Sequence, residues 1–179
     1  DVAVFTTMPG KSAFNEHHPL SVGAGGSTVT GPAAQWLRET DLIFAVGASL
    51  TSSPYAQRVR RGTFLIHNVI DDNEVNKDTH ADIPLVGDAK LTLQALIDAV
   101  KGLIGEEPRN TGVKEKIKAA KDAWCAQWQP YLTNNDSPLS PYRVIHEMNV
   151  NLDKDKSIVT HDAGAPRDQI VPFYDATTP

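Results

Sequence analysis

Four short segments place small, hydroxylic or acidic residues directly behind apolar runs: Thr6-Thr7, Gly47-Ala48-Ser49, Asp71-Asp72 and Gly87-Asp88. Glycine and serine let a phosphate come close to the backbone, and a carboxylate accepts hydrogen bonds from ribose hydroxyls. Residues of these types gathered at strand ends suit a nucleotide-like ligand rather than bond making. Strand ends without a ligand also need turn and cap residues, so a bound nucleotide and plain turns both stand at this point. The candidate contacts are Thr6, Thr7, Gly23, Gly47, Ser49, Asp71, Asp72 and Asp88.

Other reactive residue types read as structural. Ala24-Gly25-Gly26-Ser27 could cradle a phosphate but opens no tight strand–helix unit, so it reads as a flexible loop. The chain has neither a Walker A lysine nor a GxGxxG sequence. His17 and His18 are adjacent, which sends their side chains apart, and His18-Pro19 reads as a turn. His67 reads as a satisfied histidine within a strand, and Asp71-Asp72 as caps before any cation site. His161-Asp162 lacks a serine in a nucleophile elbow. Cys125 is the only cysteine; it reads as a packing residue and excludes an intramolecular disulfide. Arg58, Arg60 and Arg61 read as a solvated loop or helix face.

The elements that must position these residues alternate between short apolar runs and amphipathic stretches, the pattern of a parallel sheet covered by helices. Strands are expected at residues 2–5, 42–46, 63–70, 83–86 and 157–160. The run Leu42-Ile43-Phe44-Ala45-Val46 is apolar on both faces, which fits a central strand. Helices are expected over 32–39, from Asp88 as cap to Ile104, over 113–131 and over 141–149. Leu91, Leu93, Leu96, Ile97, Val100, Leu103 and Ile104 fall mostly on one helical face, which should dock on the sheet. Trp124 and Trp128, at an i, i+4 spacing, should bury together. Residues 106–112, rich in Glu, Pro, Asn, Thr and Gly, read as a linker.

With 40% hydrophobic and 22% charged residues, the composition is that of a globular protein. A net charge of −5 speaks against nucleic acid as a partner. The sequence holds no run long enough to span a membrane and no opening signal peptide, so the expected setting is cytoplasmic. Asp1 stands directly before what reads as a buried strand and looks like a cut inside a fold, and Pro179 stands in mid-element.

Taken together, Thr6-Thr7-Met8-Pro9-Gly10-Lys11-Ser12-Ala13-Phe14 and His18-Pro19-Leu20-Ser21-Val22-Gly23 resemble the middle domain of acetolactate-synthase-like thiamine diphosphate enzymes. Asp41-Leu42-Ile43-Phe44-Ala45-Val46-Gly47-Ala48-Ser49-Leu50 is similar to the family's next strand. Asp71 to Lys77 resembles its Ile-Asp-x-Asp segment, and Gly87-Asp88-Ala89 resembles the start of its closing helix. The match runs in the family's order from about Val2 to Leu103. Ser140-Pro141-Tyr142-Arg143 and residues 157–169 resemble the opening of the family's diphosphate-binding domain, where Gly164 becomes a further cofactor contact.

The resemblance implies a Rossmann-like α/β fold: an open parallel sheet with helices on both faces, truncated at both ends. It assigns residues 1–105 to a central domain lacking its first strand–helix unit, 106–139 to a linker with a helix, and 140–179 to the start of a diphosphate-binding domain. It implies a parent enzyme that uses thiamine diphosphate and magnesium to cleave or join bonds next to a 2-oxo group. The family's Gly-Asp-Gly…Asn metal motif and its activating glutamate are absent here, so no catalytic or metal residue is assigned and the chain alone is expected to be inactive. Its partners would be the remaining domains of a parent homodimer or homotetramer.

Within the family the middle domain holds FAD, ADP or nothing. The arginines usual in FAD binders are replaced by Ser49 and Ser53, which leaves an adenine nucleotide or an empty structural domain. A non-catalytic FAD or ADP module is the alternative reading. An NAD-dependent deacetylase-like enzyme is a third, for which no catalytic histidine loop or zinc cysteines are found. In the family a strand lies between those matching residues 2–5 and 42–46. Its place is expected to be filled by direct pairing of those two strands, by residues 157–160, by another copy or cleaved fragment, or by residues ahead of Asp1.

Overall fold

The computed structural model describes residues 1–105, 107 and 111–178, so most of the expected linker at 106–112 lies outside the described residues, as does Pro179. The chain forms two compact units, Asp1–Trp36 with Asn110–Pro179, and Leu37–Arg109. Among the described residues the strands pair in parallel, as the alternation of apolar runs and helices requires, with one isolated antiparallel bridge between Gly25 and Val29.

In the first unit, β1 (Val4–Thr7) pairs with β2 (Ser21–Gly25), and every residue of β2 is buried. The expected loop at 24–27 is therefore in part a strand. Its small residues are a packing requirement: a Cβ on Gly25 would stand 2.1 Å from Val29 Cγ1. Helix α1 (Gly31–Glu39) follows, with Thr30 Oγ1 donating to Val22 O at 2.6 Å. Val22, Ala33 and Ile117 form the core, flanked by Phe5, Leu20 and Trp36.

The C-terminal half of this unit is helical: α3 (Val113–Thr133), α4 (Pro141–Asn151) and α5 (Ala165–Phe173). Trp124 and Trp128 lie 5.2 Å apart between ring centroids, as their spacing predicts. Phe173 stacks on Trp124 at 5.4 Å and meets Trp128 edge-on at 4.6 Å, so α5 closes the aromatic cluster. Lys11 Nζ lies 2.6 Å from Glu16 Oε1 and donates to Val171 O, while Glu16 Oε2 accepts the Ala176 N–H at 2.9 Å. This pair ties the loop after β1 to the chain after α5. Residues 157–160 form no strand; Ile158 is 94% exposed, and no neighbouring strand takes up their backbone groups.

In the second unit β3 (Leu42–Val46), β4 (Phe64–Val69) and β5 (Ile83–Val86) form a sheet with β4 in the centre. β3 is thus an edge strand of its sheet, not a central one, and Leu42 is 49% exposed. β1 and β3 belong to separate sheets, so they do not pair directly.

One face of the three-stranded sheet carries Ala45 and Leu65, which pack with Ala81, Ile43 and Leu50. The connection from β3 to β4 contains no helix. It lies over this face: Ala48 O meets His67 Nε2 at 2.7 Å, Leu50 packs in the cluster, and Ser52 N donates to Asp78 Oδ2 at 2.9 Å.

Helix α2 (Ala89–Ile104) begins where expected, with Asp88 Oδ1 accepting the Leu91 N–H at 3.0 Å. Its apolar face does not bury: Leu91 is 70% and Leu103 83% exposed, and no residue of the helix is fully buried. Near its start the helix is tied to the sheet by the Asn68 amide, which donates to Thr92 Oγ1 at 3.3 Å, while the rest of its stripe stays partly exposed.

Candidate functional site

Because β3, β4 and β5 are parallel, Gly47, Asp71 and Asp88 follow the carboxyl ends of adjacent strands and share one edge of the sheet. Asp72 follows Asp71, whereas Ser49 lies in the connection that turns back over the sheet face between Ala48 and Leu50. Gly47 has φ 62°, a conformation that favours glycine, and no atom stands within 4 Å of where its Cβ would be. Its N–H donates to Asn68 O at 2.9 Å. Ser49 is exposed, and its Oγ accepts from Thr51 Oγ1 at 3.1 Å.

Asp71 caps the 3-10 turn Asp72–Glu74; its Oδ1 accepts from Asn73 N at 3.0 Å and from Asn73 Nδ2 at 2.8 Å. These hydrogen bonds, the backbone one first, hold the Asp71 carboxyl below its usual range. It is therefore an ionised acceptor at neutral pH. Asp88 sits at the start of α2, where the helix dipole and unpaired N–H groups favour an anion.

The reading from sequence missed Asn68, the residue that fixes this edge. It is fully buried, and its Nδ2 donates to Leu85 O at 3.0 Å, Gly87 O at 3.1 Å and Thr92 Oγ1 at 3.3 Å. Its signal was a polar amide inside the run Phe64-Leu65-Ile66-His67-Asn68-Val69, next to a histidine that drew the attention.

The first unit places its candidates differently. Thr7 is exposed at the carboxyl end of β1, while the Thr6 hydroxyl is buried with no partner among the described residues. Gly23 is not at a strand end but inside β2, buried, with φ 96° and Thr30 Cγ2 only 2.7 Å from where a Cβ would lie. Thr30 closes it off, so Gly23 is not an open approach for phosphate. Gly164, φ 83°, is the cap residue of α5.

His67 is buried, with Nε2 meeting Ala48 O at 2.7 Å and Nδ1 without a partner among the described residues, so it is only half satisfied where full satisfaction was expected. The Asp162 carboxylate accepts the Ala163 N–H at 2.7 Å, and His161 Nδ1 faces Asp162 O at 3.1 Å, so the two side chains do not pair as in a triad. Cys125 is exposed rather than packed, because it lies off the face of α3 that carries the tryptophans. Among the described residues no group of three or more His, Cys, Asp or Glu side chains could hold a metal ion.

Among the described residues the arrangement contains no nucleophile–base pair. A parallel α/β unit with glycine and carboxylates at its strand ends defines the class of a Rossmann-like domain. The sequence profile described as "Thiamine pyrophosphate enzyme, central domain" matches residues 1–96, more than half of the chain, and the chain belongs to that family.

Similar proteins include a probable acetolactate synthase large subunit of Methanococcus aeolicus, 27% identical over 197 residues, covering 100% of this chain and 31% of that protein. Another, from Methanocaldococcus jannaschii, is 29% identical over 189 residues, covering 99% and 30%. The acetolactate synthase large subunit of Parasynechococcus marenigrum is 34% identical over 127 residues, covering 68% and 20%. The chain thus spans about a third or less of the length of these curated relatives.

The family implies thiamine diphosphate, typically with magnesium. The described residues do not fit that group, because they include no metal-ligating cluster to carry a diphosphate. No step of thiamine chemistry is assigned to a side chain of this chain. No helix among the described residues is long and apolar enough to cross a membrane.

Proposed function

We propose that this chain is the central part of a longer, cytoplasmic thiamine-diphosphate enzyme of the acetolactate synthase type, acting on 2-oxo acids, and that its own task is to hold an adenine nucleotide. The family match over residues 1–96 supports the first half of this reading. The shared carboxyl edge of Gly47, Asp71, Asp72 and Asp88 is the single observation that carries the second. In it the ionised Asp71 accepts from ribose hydroxyls, and the start of α2 receives the phosphate. ADP suits this edge better than FAD, because Ser49 and Ser53 stand where flavin binders carry arginines.

Residues 1–105 are read as central domain, with Thr6 and Thr7 among its nucleotide contacts, 106–139 as linker with helix, and 140–179 as the start of a diphosphate-binding domain in which Gly164 is a cofactor contact. β3 is hydrogen-bonded on one side only, to β4. We assign its outer edge to a strand from flanking sequence or from another copy in a homodimer or homotetramer.

Calorimetric titration of the full chain with ADP and with FAD tests the nucleotide assignment. Saturable ADP binding weakened by Asp71→Asn supports it; FAD copurifying as a yellow preparation overturns the choice of ADP.

A further inference from the structure

The opposite edge of the Leu37–Arg109 unit holds a cavity of about 520 Å³, within the range of small-molecule sites. It lies where the chain enters β4 and β5, on the far side of the sheet from Gly47, Asp71 and Asp88. Its walls include Arg58, Arg60, Arg61, Thr63, Asp78 and Asp82.

Both acids are engaged in holding the backbone: Asp82 Oδ2 accepts the Leu65 N–H at 2.8 Å, and Asp78 Oδ2 the Ser52 N–H at 2.9 Å. The arginines are less committed. Arg60 Nη2 donates to Thr40 O at 3.1 Å, whereas Arg58 and Arg61 make no hydrogen bond or ion pair among the described residues. Three guanidinium groups against two carboxylates leave one net positive charge.

The loop is shaped to present these groups. Thr63 N donates to Arg60 O at 3.2 Å, closing a turn whose third residue, Gly62, has the φ of 84° that such a turn requires. At its end Thr63 is only 8% exposed, and its Oγ1 has no partner among the described residues. A buried hydroxyl without a partner costs free energy that a bound acceptor would recover.

We propose that this cavity binds a small phosphate-bearing anion, gripped by Arg58, Arg60 and Arg61 and accepting a hydrogen bond from the Thr63 hydroxyl after it turns inward. Phosphate is preferred to carboxylate because three planar forks and a hydroxyl match several oxygens and a double charge, where one carboxylate occupies a single fork. The site is separate from the strand-end edge and does not depend on nucleotide binding there.

The test is a titration of the full chain with inorganic pyrophosphate, followed by amide NMR, with citrate as a carboxylate comparator and no metal added. Saturable shifts centred on Gly62 and Thr63, with pyrophosphate tighter than citrate, are expected. Arg58→Gln with Arg61→Gln should weaken binding by about a hundred-fold or more, the loss of two charge-assisted hydrogen bonds. Thr63→Val should weaken it several-fold with the fold intact, and Lys118→Gln, in the other unit, should leave it unchanged. No saturable shift at millimolar pyrophosphate, equal affinity in the arginine variant, an equal loss in Lys118→Gln, or citrate binding as tightly as pyrophosphate would each overturn the proposal.

Discussion

The Asn68 side-chain amide donates to the Gly87 carbonyl at 3.1 Å, so a residue of the central strand holds the turn that launches α2. The same amide reaches Leu85 O at 3.0 Å, and the Gly47 N–H meets the Asn68 carbonyl at 2.9 Å. One residue therefore sets the relative positions of three strand ends.

Asn68→Ala should lower stability by about 1–3 kcal/mol, because it strands two buried carbonyls and removes a fully buried side chain. It should also weaken ADP binding if the edge is the nucleotide site. Urea denaturation followed by circular dichroism, with hydrogen exchange of the β3–β5 amides, measures the first effect; an unchanged midpoint would show that the amide does not organise the edge.

Glu16 and Lys11 form a mostly buried pair, with side chains 6% and 16% exposed. Glu16→Ala leaves the Lys11 charge without its carboxylate and the Ala176 N–H without an acceptor, a loss of roughly 3–5 kcal/mol. Replacing both, with Lys11→Met and Glu16→Leu, should cost less than the sum of the single changes. Additive losses in a double-mutant cycle would mean that the pair is not coupled.

Gly23→Ala meets two obstacles, φ 96° and Thr30 at 2.7 Å, and should destabilise by about 1–3 kcal/mol or more. Gly47→Ala meets only the backbone obstacle, since its surroundings are open, and should cost about 1–2 kcal/mol. Equal effects would contradict the packing described for β2.

Hydrogen bonds from Ser27 and then Arg167 hold the Asp168 carboxyl below its usual value of 3.8. A depressed folded-state value means a stabilising contribution that is present above about pH 4 and fades as the pH falls further, when the carboxyl protonates. Asp168→Asn should therefore remove that contribution at neutral pH and change little at low pH, which flattens the acid limb of the stability profile. An unaltered limb would show that the Ser27 contact, at 2.5 Å, contributes nothing in solution.

The outer edge of β3 predicts association. Light scattering with intact mass should show a species larger than the 19.4 kDa chain, or a chain bound to a flanking fragment. A well-folded monomer of that mass would contradict the strand-addition proposal.

The parallel sheet strands and the start of α2 were legible in sequence because apolar runs of four to six residues ended in turn residues, and Asp88 stood at a cap position. β2 was not. Its Ser-Val-Gly-Ala-Gly composition reads as a loop, and only the nearness of Val29, Thr30 and Trp124 explains why small residues are needed there. The 157–160 run looked like a strand because isolated apolar residues carry no information about a pairing partner. The stripe of α2 was read correctly as amphipathic, but amphipathicity does not say which surface covers it. At the candidate site, the acids and glycines were visible by type, whereas Asn68 was hidden because its role lies in hydrogen bonds to two other segments.

The central claim, that the strand-end edge of the Leu37–Arg109 unit holds an adenine nucleotide, is tested most directly by mapping ADP onto the full chain by amide NMR. The account predicts saturable shifts at Gly47, Asp71, Gly87 and Asp88, lost in Asp71→Asn. No shift at these four residues, or shifts confined to Arg58, Arg61 and Thr63 at the opposite edge, would contradict it.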